Sequence, residues 1–373
     1  MAKPSILMKY IVCPDSFKGS FSALEVANAM VDAIVQKDPT AVIVRLPLSD
    51  GGEGFLEACA MARMGRVEVF PSWNADGFPL QSKALWWSDS EVVLESATSI
   101  GLPLISPEHN ILTATSYGLG CDILHVINQG AKLIHLGLGG SATNDGGVGA
   151  LSAIGVEFFD PQHHSFQPNP QSLHHIEEIE TSSLKSRFHD IQLRIYTDVS
   201  NPFTGPNGAS KTFAPQKGAS PEIVELLENQ MKSLETILNQ HRIDTQTIGM
   251  GAAGGIGAGI SLVFSVEMKS GIEEILDLFK FDTSLINTDI VLTGEGRLDS
   301  QSFSGKVLDG LWQRVQKSPA KLVTLCAHIQ EEARNKAKIR GIQICQLFDP
   351  QEGIVKDHTR LKQAIMKSIS QII

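Results

Sequence analysis

The stretch Gly137-Leu-Gly-Gly-Ser-Ala-Thr-Asn-Asp-Gly-Gly147 lies between a short apolar run, Lys132-Leu-Ile-His-Leu136, and the small-residue segment Val148-Gly-Ala-Leu-Ser-Ala-Ile154. The run reads as a strand and the segment as a helix. Strand, glycine loop and helix, in that order, direct several backbone N–H groups and a helix N-terminus toward one spot, which favours an anion. Ser141, Thr143, Asn144 and Asp145 add two hydroxyls, an amide and a carboxylate, a set able to hold a phosphate and its Mg2+. The same glycines would also serve a tight turn that binds nothing, so the surrounding chain decides.

Toward the N-terminus the strand–loop–helix order recurs twice. Lys9–Cys13 is an apolar run expected as a buried strand. It leads into Pro14-Asp-Ser-Phe-Lys-Gly-Ser-Phe-Ser22, and Ser22 with Glu25 is a capping-box signature for a helix over Ala23–Gln36. Asp15, Ser16, Lys18 and Ser20 therefore belong to a strand-to-helix loop, the usual ligand edge of an α/β sheet. A lysine near a helix start opposes the helix dipole, so Lys18 reads as a cation for a phosphate or carboxylate rather than as a solvated surface residue. A second strand, Ala41–Leu46, runs into Pro47-Leu-Ser-Asp-Gly-Gly-Glu-Gly54 and an Ala-rich helix through Met64. Asp50, just before two glycines, suits a metal, a ligand hydroxyl or a hydroxyl proton; Glu53 reads as a helix-capping acid.

Short β-like runs at Val67–Phe70, Gln81–Trp87 and Glu91–Glu95, separated by Asn74-Ala-Asp-Gly77 and Ser88-Asp-Ser90, predict an antiparallel meander. Thr115 is placed to cap a helix reaching Ile127. Asp160–His189 reads as an irregular excursion, and its pairs His163-His164 and His174-His175 as surface residues, since adjacent side chains diverge on regular structure. A strand over Gln192–Thr197 delivers Asp198, placed either as a metal ligand or general base, or as the shaper of an Asn-Pro turn. Pro221–Gln240 has the pattern of an amphipathic helix. Gly249-Met-Gly-Ala-Ala-Gly254 fits the dinucleotide pattern G-x-G-x-x-G, but no convincing strand precedes it, and close backbone packing explains the glycines better.

The last third alternates plainly: strands at Asp289–Thr293, Lys321–Cys326 and Ile342–Phe348, and helices at Gly305–Gln316, Glu331–Arg340 and His358–Ser370. Glu295, Arg297 and Asp299 fall in the loop Gly294–Gln301. Arg297 has the fork for a carboxylate or phosphate, with an ion pair to Asp299 as the alternative. Strand–helix units at both ends and a different pattern between them predict one α/β domain from residues 8–70 plus 285–373, with an inserted α+β domain, 71–284, carrying the glycine loop.

Composition removes several classes. Hydrophobic residues at 42% and charged residues at 19% are globular values. A formal net charge of −10 without a basic stripe argues against nucleic acid as a partner. Five cysteines without C-x-x-C spacing read as reduced, mostly buried thiols. No apolar run reaches the roughly 18 residues of a membrane span, and Met1–Met8 is too short and polar for a signal peptide; a disordered leader and a cytoplasmic protein are expected. The loops together suit Mg2+-assisted phosphoryl transfer from a nucleotide to a small anionic acceptor.

Five stretches, in order and spanning nearly the whole chain from Met8, make the sequence similar to the glycerate kinase type 1 family: Pro14-Asp-Ser-Phe-Lys-Gly-Ser20, Ser49-Asp-Gly-Gly-Glu-Gly54, Gly137–Gly147, Asp198-Val-Ser-Asn-Pro202 with Pro215-Gln-Lys-Gly218, and Leu292-Thr-Gly-Glu-Gly-Arg-Leu-Asp299. The resemblance implies a flavodoxin-like (Rossmann-like) parallel-sheet domain from both termini with an inserted middle domain. It implies ATP and (R)-glycerate as the small-molecule partners, Mg2+ as cofactor, and 2-phosphoglycerate as product, in glyoxylate and aldarate breakdown. On this basis Gly139, Gly140, Ser141, Thr143 and Asn144 are expected to cradle ATP phosphates, and Asp145, Asp198 and Glu295 to serve the metal. Lys18 would offset charge on the transferred group, Asp50 or Asp198 would take the hydroxyl proton, and Ser16 and Arg297 would hold the substrate. Leu308 stands where the family usually has proline, and Ala327-His328 where a glycine is usual. Two other classes stay open: a homoserine- or mevalonate-type kinase, through the glycine–serine loop, and a non-catalytic metabolite-binding protein on the same scaffold. Monomer and homodimer are equally compatible with the sequence.

Overall fold

The computed structural model describes residues 7–303, 305–349 and 352–373. Residues 1–6, most of the expected leader, lie outside the described residues. Fourteen strands follow among the described residues: β1 (Lys9–Val12), β2 (Val42–Arg45), β3 (Arg66–Trp73), β4 (Pro79–Trp86), β5 (Glu91–Glu95), β6 (Leu133–Gly137), β7 (Glu157–Phe159), β8 (Ser165–Phe166), β9 (Glu178–Glu180), β10 (Gln192–Tyr196), β11 (Ser265–Lys269), β12 (Ile290–Leu298), β13 (Lys321–Ile329) and β14 (Gln343–Gln346). They divide between two compact units, one made of Met1–Asp50, Glu57–Arg63 and Gly271–Ile373, the other of Gly51–Leu56 and Met64–Ser270.

In the first unit, five parallel strands lie in the order β14-β13-β12-β1-β2. Counted within the unit this is 2-1-3-4-5, the flavodoxin-like doubly wound order, whose topological switch point falls between β1 and β12. The continuously apolar Tyr-Ile-Val of β1 is buried, as a parallel sheet covered by helices demands. Helix Ala23–Lys37 begins with the capping box read from the sequence: the Glu25 amide donates to Ser22 Oγ at 3.2 Å and the Ser22 amide to Glu25 Oε2 at 2.8 Å. Its buried Val26, Met30, Ala33 and Ile34 recur at helical spacing and join Tyr10, Val12, Leu292, Leu325 and residues of helix His358–Ile372 in one core.

β12 and β13 are longer than the sequence suggested. Their parallel pairing continues through Glu295↔Cys326 to Arg297↔His328, so Glu295 and Arg297 lie on a strand, not in the expected loop. Being two apart, they share one face.

The second unit is built on a mixed six-stranded sheet in the order β11-β10-β6-β5-β4-β3. The meander β3-β4-β5 is antiparallel as expected, and Asn74 shapes its first turn by accepting from the Asp76 and Phe78 amides at 3.0 and 2.8 Å. From β5 onward the pairing is parallel, and Glu95, Gly137, Tyr196 and Lys269 align in one row across the sheet. The glycine loop leaves β6 from this row, and Asp198 follows β10 by two residues. The expected irregular excursion carries a small sheet, β8-β7-β9; strands of two or three residues are too short to show periodicity. Its four paired histidines are exposed. Among the described residues no cysteine is in a disulfide, and three of the five are buried. Among the described residues no helix is long and apolar enough to cross a membrane.

Candidate active site

Backbone pairing carries on past the end of β1: the Cys13 amide donates to the Leu292 carbonyl at 2.7 Å and the Asp15 amide to that of Gly294 at 2.9 Å. Asp15, just past the end of β1, and Glu295, on the C-terminal part of β12, thus lie at the same edge of the sheet, at the switch point. The next residues form a tight turn in which Phe17 and Phe21 exchange backbone hydrogen bonds at 2.8 and 3.0 Å. Both rings are buried, and Gly19 takes the left-handed conformation (φ +77°) that closes the turn. Two apolar anchors and one glycine therefore hold Lys18 out at the tip. Its side chain is 56% exposed and its Nζ lies 3.1 Å from Asp50 Oδ2.

Three carboxylates surround that ammonium. Asp50 first, then Asp15, raise the Lys18 pKa above the usual lysine range. Asp15 is buried; desolvation, with the Asp50 charge added, raises its carboxyl well above the ordinary value, against the pull of Lys18. Burial also pushes Glu295 up to about 7, while Lys306, Ser302 and Lys18 draw it down. Ser16 Oγ and Ser49 Oγ, both buried, have no hydrogen-bond partner among the described residues. Arg297 is exposed, and the alternative ion pair does not form: Asp299 accepts from the Gln301 amide at 2.9 Å instead. Grouped carboxylates with raised pKa values at a switch point mark a ligand edge.

In the second unit the glycine loop is tied from several sides. The Leu138 amide donates to the Tyr196 carbonyl, Ala142 to Ile100, and Gly146 to Gly254. Asp145, fully buried, accepts from the Ser116 amide and hydroxyl at 2.8 Å each, from Gly147 at 3.0 Å and from Gly149 at 3.2 Å. Both oxygens of this expected metal ligand are thus engaged by the protein, and they fix the start of helix Val148–Ile154. By contrast the amides of Gly140, Ser141, Thr143, Asn144 and Asp145 meet no acceptor among the described residues. Thr143 Oγ1 and Asn144 Oδ1 are buried without partners among the described residues, although Asn144 Nδ2 donates to Ser210 Oγ at 3.0 Å. Asp198 accepts from Ser270 Oγ at 2.7 Å.

The glycine run that resembles a dinucleotide fingerprint packs onto this loop. A Cβ on Gly254 would stand 2.3 Å from the Thr143 carbonyl oxygen, so close approach explains the glycine.

The sequence model of the glycerate kinase family matches residues 10–373. The chain belongs to the glycerate kinase family. It is 36% identical to the glycerate kinase of Haemophilus influenzae over 330 residues, 87% of each chain, and 36% identical to the glycerate 2-kinase of Escherichia coli over 331 residues, 87% of this chain and 86% of that one. A crystal structure from Salmonella typhimurium LT2, assigned to glycerate kinase 2, superposes with a TM-score of 0.78 at 30% identity, covering 98% of this chain and 97% of that one.

Within this family member, the residues singled out in the sequence fall into two groups. Ser16, Lys18, Asp50, Glu295 and Arg297 belong to the first unit; Gly139 to Asp145 and Asp198 belong to the second. Among the described residues no three His, Cys, Asp or Glu side chains gather as a ready metal cage. Two residues were not singled out for a role. Asp15 had its signal in place, an acid one residue before Ser16 at a strand end. Lys217 sits in a short turn far from any strand end, and nothing in Pro215-Gln-Lys-Gly218 announces that its side chain is buried.

Proposed function

We propose that the protein is a glycerate 2-kinase, transferring the terminal phosphoryl group of ATP to the 2-hydroxyl of (R)-glycerate. The hydroxyl oxygen bonds to the γ-phosphorus, the bond from that phosphorus to the β,γ-bridging oxygen breaks, ADP leaves, and a carboxylate takes the hydroxyl proton. The observation that carries this reading is the cluster of Asp15, Lys18, Asp50 and Glu295 at the switch point between β1 and β12, in a chain 36% identical to a protein named glycerate 2-kinase.

Lys18 offsets the negative charge of the transferring group. Asp50 or Asp198 accepts the proton, and Ser16 and Arg297 hold the substrate, Arg297 by its carboxylate. Gly140, Ser141, Thr143 and Asn144 take the nucleotide phosphates through the loop's unengaged amides, beside Gly139, whose own amide donates to Ser96 Oγ at 3.3 Å. Carboxylate oxygens are the donors Mg2+ prefers, and it needs only one or two when phosphates supply the rest. Glu295 and Asp198 suit that duty within their own units, while Asp145 keeps the loop in shape. Mg2+, when bound, neutralises phosphate charge.

Phosphorus NMR after incubation with (R)-glycerate and Mg-ATP tests the reading. A 2-phosphoglycerate signal is expected; 3-phosphoglycerate would overturn the acceptor hydroxyl, and no phosphoglycerate would overturn the reaction.

A further inference from the structure

Lys217 ends the turn Pro215–Lys217 and is only 3% exposed. Its Nζ donates to the Thr143 carbonyl at 2.6 Å and approaches Ser141 Oγ at 3.3 Å. An ammonium has three donors, so one is unspent. No carboxylate among the described residues lies within ion-pair distance of it. Asp145 is the one acid whose charge reaches it, and the oxygens of Asp145 are committed to Ser116, Gly147 and Gly149.

A buried lysine without an anion is a costly arrangement, and proteins seldom keep a buried charge unpaired. Burial drives its pKa down to about 7, with Asp145 pulling the other way. The lysine lies under the loop whose five consecutive or near-consecutive amides, Gly140, Ser141, Thr143, Asn144 and Asp145, have no acceptor among the described residues. Of these residues Gly140 is exposed, while Ser141, Thr143, Asn144 and Asp145 are buried. Cation and N–H dipoles act in the same sense, favouring an anion over the loop.

We propose that Lys217 is a positioning residue for nucleotide phosphate: it fixes the Ser141 hydroxyl and the Thr143 carbonyl from beneath, and its charge is balanced by the di- or triphosphate bound above. This rests on the reading of the glycine loop as the nucleotide site. The lysine touches the loop, and the loop touches the phosphate.

The test is calorimetric titration with MgADP alongside steady-state kinetics. Lys217→Met is expected to weaken MgADP binding and raise the KM for ATP about tenfold or more, with the KM for (R)-glycerate unchanged within about twofold and kcat at saturating ATP within about threefold. MgADP binding within about twofold of wild type would overturn the role of the lysine. If circular dichroism shows Lys217→Met unfolded, Ser141→Ala carries the test, since it removes one anchor and leaves the lysine in place. A several-fold loss of MgADP affinity at constant glycerate KM is expected there, and no loss overturns the proposal. Wild-type protein that binds no MgADP overturns both the lysine's role and the nucleotide reading of the loop, whereas equal binding by wild type and variants removes only the former.

Discussion

Lys18 and Lys217 each stand by a loop at the end of a parallel strand, in opposite surroundings. Lys18 is half exposed among Asp15, Asp50 and Glu295, which hold its proton firmly. Lys217 is enclosed and pairs with a carbonyl and a hydroxyl, and burial lowers its pKa to about 7. Around Lys18 three carboxylates face Lys18 and Lys306, so under the proposed function this site suits a ligand arriving with a dication. Around Lys217 the one nearby acid is spent on neutral donors, so under the proposed function the loop suits the anion itself. On that reading the same residue type serves two tasks, set by what its neighbours have left over.

The comparison is broken most visibly at Lys18. Lys18→Ala should lower kcat about 1000-fold, as loss of a charge stabiliser of the transition state does. Thermal unfolding should hardly move, because the side chain is exposed at a turn tip; a fall in turnover below about tenfold would take Lys18 out of the chemistry. Next is Asp145, which decides that the second site lacks a spare carboxylate. Asp145→Asn replaces one acceptor oxygen by an NH2 donor that faces the buried donors of Ser116 and Gly149, or that of Gly147, and should destabilise the protein by about 2–3 kcal/mol in urea unfolding; loss under about 0.5 kcal/mol would show those hydrogen bonds to be dispensable.

Smaller effects separate the two lysines by pH. The folded-state pKa of Lys217 is lowered from 10.5 to about 7, so between those values the unfolded chain binds more protons and stability rises with pH. Without nucleotide, wild type should gain on Lys217→Met from pH 7 to 10, on the order of 1 kcal/mol per pH unit at most. A constant difference between the two unfolding curves would place the ammonium in contact with water. Glu295 has the opposite sign. Its folded pKa is raised from 4.5 to about 7, so the folded state holds the extra proton and stability falls as pH rises through that window. Glu295→Gln, which cannot ionise, should flatten that fall in apo protein; parallel curves for variant and wild type would mean the carboxyl is solvated.

Much of this was legible in the sequence because the signals were local. The Ser22–Glu25 box, the apolar β1 and β6 and the turn at Asn74 each act within a few residues, and each forms as read. The switch point follows from strand order, which the alternation at both chain ends indicated. What escaped depends on partners distant in sequence. β12 runs on to Leu298 because β13 remains beside it, which no property of Gly294–Gln301 discloses. That Asp145 accepts from Ser116, 29 residues away, only the fold discloses. Lys217 was visible as a letter in a motif, but its burial under Thr143, 74 residues away, was not.

The first unit's sheet joins β1 to β12 through Tyr10↔Ile290, and the Lys9 amide bonds Asp289 across 280 residues. A ribosome therefore finishes the whole of Met64–Ser270 before the central pair of that sheet can exist. During synthesis β1 and β2 precede their partner β12 by the whole of the inserted unit, with helix Ala23–Lys37 the nearest element in sequence to pack on them. The same spacing makes completion of the cluster a late event: Asp15, Lys18 and Asp50 are made within the first fifty residues, whereas Glu295 joins them only once β12 has been made, in the last quarter of the chain.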